Sequence, residues 1–131
     1  MGTQKTRVIV VEDHAVMRET LKQMVEQVDH CVVVAEAGSG IEALDVIANV
    51  PADLILLDLS LPRLSGMDVL EQTRPLTGAK MLVVTMFQED HVIRKAMDLG
   101  ADCWFVKDQG MVAFKKVVAE VLEGECTVLT P

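Results

Sequence analysis

Five residues carry the chemistry this sequence offers: Glu12 and Asp13 side by side, then Asp58, Thr85 and Lys107. Each follows an apolar run. Val8-Ile9-Val10-Val11 stops at Glu12-Asp13, and Leu54-Ile55-Leu56-Leu57 stops at Asp58. Met81-Leu82-Val83-Val84 stops at Thr85, and Cys103-Trp104-Phe105-Val106 stops at Lys107. Runs of about four to eight apolar residues bounded by polar or turn residues read as fully buried strands of a parallel sheet. In an open parallel sheet, groups just past the strand carboxyl ends gather on one edge, where ligands bind. Three carboxylates, one hydroxyl and one ammonium are therefore expected to share one small site.

Any one of these acids alone reads as a solvated strand end or a charge favoured at a helix N-terminus. Three together repel strongly at low effective dielectric and call for a cation. Oxygen ligands with room for water and phosphate suit Mg²⁺ better than Zn²⁺, which prefers nitrogen and sulfur. Lys107 reads either as a surface lysine or as a point charge that holds a phosphate oxygen. Thr85 reads either as a helix N-cap, with Glu89 and Asp90 in the next turn, or as a donor to an anion. Combined, the parts make a phosphoryl-transfer site in which a carboxylate is the nucleophile and forms an acyl phosphate. Asp58 is read as that nucleophile, because it stands between the acid pair and the Thr/Lys pair in the order of the elements.

Helical patterns separate the strands. Met17, Leu21, Met24, Val25 and Val28 give a first helix over about residues 14–28, and residues 31–35 a second strand. Ile41, Ala43, Leu44, Ile47 and Ala48 give a second helix, opened by Ser39 with Glu42 three residues on, a capping-box signal. Residues 66–72 form a short third helix. Val92, Ile93, Ala96 and Met97 mark a fourth, with Gly100 placed for its C-terminal cap. Met111, Phe114, Val118, Val121 and Leu122 mark a fifth. Five βα units with short connections predict an α/β doubly wound sheet with helices on both faces.

The 131 residues, half of them hydrophobic, suit one domain with a sizeable core. The net charge of −8 makes this piece a poor partner for nucleic acid, whose binding rests on basic side chains. No apolar stretch approaches the roughly 18 residues a membrane span needs, and residues 1–7 carry no signal-peptide core. Cys31, Cys103 and Cys126 show no metal-ligand spacing. Cys31 and Cys103 fall inside strands, where a free cysteine acts as a small hydrophobe, and the expected compartment is a reducing cytoplasm. Residues 124–131, with Gly124 and Pro131, read as the start of a linker after a domain of residues 1–123.

The segments Val8 to Asp13, Leu56 to Gly66, Val83 to Met86 and Gly100 to Lys107, in this order and spacing, resemble the receiver domain of bacterial two-component response regulators. The resemblance covers essentially the full chain. It implies a flavodoxin-like sheet of five parallel strands, order 2-1-3-4-5, with five helices. It implies that Asp58 accepts a phosphoryl group from a sensor histidine kinase. Mg²⁺ would be held by Asp13, Asp58 and the backbone carbonyl of Ser60, with Glu12 assisting through water. Lys107 would bind the phosphate, and Thr85 would donate to it. Trp104 occupies the position of the family's switch aromatic, more often Tyr or Phe. The plainer reading makes it a half-buried strand residue with its indole N–H in water. Lys107-Asp108, with Thr85-Met86-Phe87 and residues 128–131, resembles the NarL/FixJ-type subgroup. That implies a C-terminal helix-turn-helix effector domain, through which alone DNA would be bound, and a homodimer on phosphorylation. The apolar Phe87 implies slow self-dephosphorylation.

Three rivals stand beside this reading. Gly38-Ser39-Gly40-Ile41-Glu42-Ala43 reads G-x-G-x-x-A, a dinucleotide fingerprint, yet it follows the second strand, and Glu12-Asp13 would repel a pyrophosphate. Its glycines are expected to serve a turn needing permissive φ. A haloacid-dehalogenase-type hydrolase would need a second acid at the position of Ser60. A phosphorylation-independent pseudo-receiver would not need the full set of site residues. His14 follows the acid pair and reads either as a residue within reach of the site or, more plainly, as an exposed first-turn residue, whereas His30 and His91 have no partner at ligand spacing.

Overall fold

The structure, a computed structural model, describes residues 5–86 and 89–127. Strands and helices alternate as the apolar runs predict: β1 (Thr6–Val11), α1 (Ala15–Glu26), β2 (Cys31–Ala37), α2 (Gly40–Asn49), β3 (Leu54–Asp58) and α3 (Gly66–Thr73). A 3₁₀ turn (Arg74–Leu76) precedes β4 (Lys80–Thr85), α4 (Asp90–Asp98), β5 (Cys103–Val106) and α5 (Gly110–Leu122). All neighbouring strands are parallel, in the order β2-β1-β3-β4-β5.

The pleat divides the core. Ile9, Ile55, Met81 and Trp104 face α2, α3 and α4, where Ala43, Ile47, Leu70 and Ile93 meet them. Val8, Leu54, Leu82 and Phe105 face α1 and α5, where Leu21, Val25 and Phe114 meet them. Phe105 and Phe114 meet edge to face with ring centroids 5.3 Å apart. Because both faces are covered, the three central strands are apolar between their ends, at residues 8–11, 54–57 and 81–84, which is why they read as runs rather than as alternation.

Local chemistry fixes the helix ends. His14 caps α1 through Nδ1, which accepts from the Met17 N–H, so it is not a plain first-turn residue. Ser39 caps α2 by accepting from the Glu42 N–H, but the Glu42 side chain accepts from the Gly38 N–H, so the expected box is only half made. Ser65 and Asp68 form the complete box, on α3. The cap of α4 is Glu89, not Thr85, which is the last residue of β4. Gly100, with φ of +112°, ends α4: its N–H donates to the Met97 carbonyl and the Ala101 N–H to that of Ala96, a Schellman motif.

Two sequence expectations fail here. Gly38 and Gly40 do not take positive φ. A Cβ on Gly40 would lie 2.3 Å from the Leu64 carbonyl oxygen, so close packing of α2 on the loop after β3 requires this glycine. Cys103 is not a free cysteine: it is disulfide-bonded to Cys126, while Cys31 is free and buried. The inference of a reducing compartment from unpaired cysteines loses its basis for that pair.

Candidate functional site

The strand order reverses between β1 and β3, the switch point of an open α/β sheet. Val11 pairs with Leu57, so the next residues, Glu12 and Asp58, are level at the carboxyl edge. Thr85 pairs with Val106, and the Lys107 N–H donates to the Thr85 carbonyl at 2.9 Å, which closes the other side. All five expected residues thus stand on one edge.

Lys107 reaches back across the edge. Its Nζ lies 2.5 Å from Glu12 Oε1 and 3.5 Å from Asp58 Oδ2. The side chains of Lys107, Glu12 and Asp58 are only 7%, 2% and 3% exposed, so water screens these pairs little. Glu12 Oε2 accepts from the His14 N–H at 3.2 Å, and Asp58 Oδ1 accepts from the Ser60 N–H at 3.0 Å. Asp13 is exposed, and Thr85 is buried.

The backbone around the site is tightly built. A Cβ on Gly66 would lie 2.2 Å from the Asp58 carbonyl oxygen and 2.5 Å from Leu59 Cα, so only glycine lets α3 start against the end of β3. Arg18 of α1 donates from Nη1 to the Glu12 carbonyl at 2.8 Å and from Nε to Glu36 at 3.0 Å. Lys22 also pairs with Glu36, at 2.6 Å, and these bonds, Lys22 first, hold the Glu36 carboxyl below its ordinary range.

Glu12, Asp13 and Asp58 each present an oxygen within 4.8 Å of the others. Three carboxylates against the one ammonium of Lys107 leave two negative charges (3 − 1 = 2). An all-oxygen set with that charge fits a hard divalent cation such as Mg²⁺, and the exposed Asp13 leaves a way in from solvent. A cavity of about 410 Å³ opens beside the site, lined by Leu59, Ser60, Met67, Thr85, Val92 and Lys95.

Trp104 departs from the plainer sequence reading. It is 2% exposed and packed in the core under α2, α3 and α4, and among the described residues its buried Nε1–H has no hydrogen-bond partner. Its indole N–H is therefore not in water. Phe87, on which the expectation of slow dephosphorylation rests, lies outside the described residues.

A doubly wound sheet with three carboxylates at its switch point and a lysine set across them defines a receiver-type α/β domain. The family model of the response regulator receiver domain matches residues 8–119, and the chain belongs to that family. It is 34% identical over 122 residues to a nitrate/nitrite response regulator protein homolog of Haemophilus influenzae, covering 92% of this chain and 59% of that protein. It is 35% identical over 103 residues to the nitrate/nitrite response regulator protein NarP of Escherichia coli, covering 78% of this chain and 48% of that protein. The chain thus spans about half the length of these curated relatives. Among solved structures, a LuxR-family two-component response regulator of Aurantimonas superposes with a TM-score of 0.89 at 27% identity, covering 98% of this chain and 91% of that one. The signal receiver domain of NarL from Mycobacterium tuberculosis gives 0.87 at 27% identity, covering 94% and 100%. The chain is a receiver domain of the NarL/LuxR type with the flavodoxin-like fold.

Proposed function

We propose that this domain accepts a phosphoryl group on Asp58 from the phosphohistidine of a sensor histidine kinase. The observation that carries the reading is the position of Asp58. It is buried at the switch point, with one oxygen fixed by the Ser60 N–H and the other 3.5 Å from Lys107 Nζ. Fixing Oδ1 leaves Oδ2 to attack phosphorus in line with the departing imidazole. Asp13, Asp58 and the Ser60 carbonyl would hold Mg²⁺, with Glu12 assisting through water. When bound, the ion would supply positive charge to the transferring phosphoryl oxygens.

The chain's own residues do the rest. Lys107 exchanges its contact with Asp58 for one with a phosphoryl oxygen, keeping its bond to Glu12. Thr85, at the rim of the cavity that Ser60 also lines, donates its hydroxyl to another. Two conformations are in equilibrium, and the phosphate favours the one in which Thr85 and Lys107 bind it better. Trp104, on the strand that leads to Lys107, is assigned as the switch aromatic, since it packs in one cluster with Ile93 and Ala96 of α4 and a shift of that helix would change its surroundings.

The readout is a changed surface of α4, β5 and α5, used to dimerise or to control an attached effector domain. Residues 1–123 form the receiver, and residues 124–131 begin the connection to a helix-turn-helix domain that alone contacts DNA. The length of the relatives supports this, as does their description as response regulators. The domain catalyses only its own phosphotransfer and a slow self-dephosphorylation. Its place is the cytoplasm, where such kinases present phosphohistidine. Among the described residues no helix is long and apolar enough to cross a membrane. The test is intact-mass spectrometry after exposure to acetyl phosphate with Mg²⁺. One added phosphoryl group is expected, absent when Mg²⁺ is chelated and absent in Asp58→Asn. A group retained in Asp58→Asn rejects the assignment.

A further inference from the structure

Strand β5 opens with Cys103, whose side chain is fully buried on the α1/α5 side of the sheet. A disulfide joins it to Cys126, 23 residues further on, with the two Cα atoms 5.4 Å apart. The chain reaches that position by doubling back after α5. Gly124 takes φ of +83°, a left-handed turn suited to glycine. The Glu125 N–H donates to the Glu120 carbonyl at 2.8 Å, and the Thr127 N–H and hydroxyl both donate to the Glu120 carboxylate. Cys126 is half-buried and packs against both halves of the core, the one under α1 and α5 and the one under α2, α3 and α4. A residue that touches both faces of a sheet lies over its edge, and β5 is an edge strand. The disulfide therefore fastens residues 124–127 over the outer edge of β5.

We propose that Cys103 and Cys126 are a redox-reactive pair, closed by a peroxide and opened by a dithiol or glutathione, and that its state decides whether residues 124–127 stay on the edge of β5. A disulfide inside a cell is usually transient and redox-sensing rather than structural. That step rests on the intracellular reading above, but the chemistry of the pair does not depend on phosphotransfer. The two sulfurs are unequal. Cys126 stands on the outer segment, whereas Cys103 has no exposure, so attack from solvent falls on Cys126.

Closure starts with the Cys126 thiolate attacking one peroxide oxygen. The O–O bond breaks, the leaving hydroxide takes a proton to become water, and Cys126 becomes a sulfenic acid. The Cys103 sulfur then attacks the Cys126 sulfur, the S–O bond breaks, and a second water leaves. Two thiols lose two electrons and two protons, and one hydrogen peroxide is reduced to two waters. In opening, a reductant thiolate attacks Cys126 and Cys103 leaves as thiolate. A second reductant thiol resolves the mixed disulfide and frees Cys126. Cys31 does not compete, because it lies in β2 at the opposite edge of the sheet, where burial pushes its thiol pKa up.

The experiment uses the 131-residue chain, reduced, exposed to hydrogen peroxide, alkylated and mapped by mass spectrometry. Expected is loss of the thiols at 103 and 126 with Cys31 still alkylated after denaturation, and reopening in a glutathione buffer of cytosol-like ratio. Hydrogen exchange over residues 103–106 and 124–127 is expected to be on the order of tenfold faster in the open form, with Cys126→Ser matching that form under oxidant. The proposal is overturned by a pair that stays dithiol in peroxide, by one that stays bridged in the glutathione buffer, or by opening that leaves exchange unchanged. Failure of acetyl phosphate labelling would reject the phosphotransfer reading without altering any of these results.

Discussion

Replacing Lys107 by Met should expose the electrostatic balance of the site, because it removes the one ammonium and keeps most of the side-chain volume. At an effective dielectric of about 20, unit charges 2.5 Å apart attract by about 7 kcal/mol and those 3.5 Å apart by about 5 kcal/mol. Desolvation of the buried groups offsets most of that. Breaking a buried pair by removing one partner costs about 3–5 kcal/mol, chiefly because the other charge is stranded. Lys107→Met is therefore expected to lose about 3 kcal/mol of stability at neutral pH in the presence of a chelator, read by urea unfolding. The same carboxylates should then favour a divalent cation more strongly, so saturating Mg²⁺ should restore part of the loss and stabilise the variant more than the parent. A variant as stable as the parent in chelator would refute the account of Lys107 as the counter-charge. A deficit unmoved by Mg²⁺ would refute the account of the acids as a cation site.

Gly66→Ala should cost about 2 kcal/mol or more and slow phosphorylation, since its Cβ would press on the Asp58 carbonyl, whereas Gly78→Ala, with nothing within 4 Å of its Cβ, should change stability by less than about 0.5 kcal/mol. Glu36, held below its ordinary range by Lys22 and Arg18, contributes stability above its unfolded pKa near 4.5 that is lost as pH falls through the depressed folded value. Its side chain is 40% exposed, so Glu36→Gln should flatten the acid limb of a stability–pH curve by less than about 1 kcal/mol, and an unchanged limb would count against the pairing. Reducing the Cys103–Cys126 bond should lower stability by about 3 kcal/mol on the chain-entropy estimate for a loop of 23 residues, compared by denaturant unfolding of the two forms.

The central strands announce themselves because burial on both faces leaves their middles without a polar residue, and Asp58 and Thr85 come only as the final strand residues at the carboxyl edge. The same double burial hides direction: nothing in Cys103-Trp104-Phe105-Val106 says that Trp104 points under α3 and α4 and is sealed from water. Strand β2 extends past Ala35 to Ala37 because the charge of Glu36, which looks like a terminator, is met by Arg18 and Lys22 from α1. The cap of α1 carries no clear sequence signal because His is an uncommon capping residue, nor does the box on α3, where Asp68 stands in place of the usual Glu or Gln. The disulfide depends on the turn at Gly124 and on β5 being an edge, both facts of tertiary structure. The convergence of Glu12, Asp13, Asp58 and Lys107 was legible because parallel strands bring their carboxyl ends to one side whatever the loops do.

The proposed chemistry leaves an acyl phosphate on one of three neighbouring carboxylates, that of Asp58. Reductive trapping with labelled borohydride tests it most directly, because an aspartyl phosphate is converted to homoserine at the residue that carried it. After treatment with acetyl phosphate and Mg²⁺, label is expected at residue 58 and at neither 12 nor 13. Label at either neighbour, or none in a chain that has gained a phosphoryl group, would contradict the account.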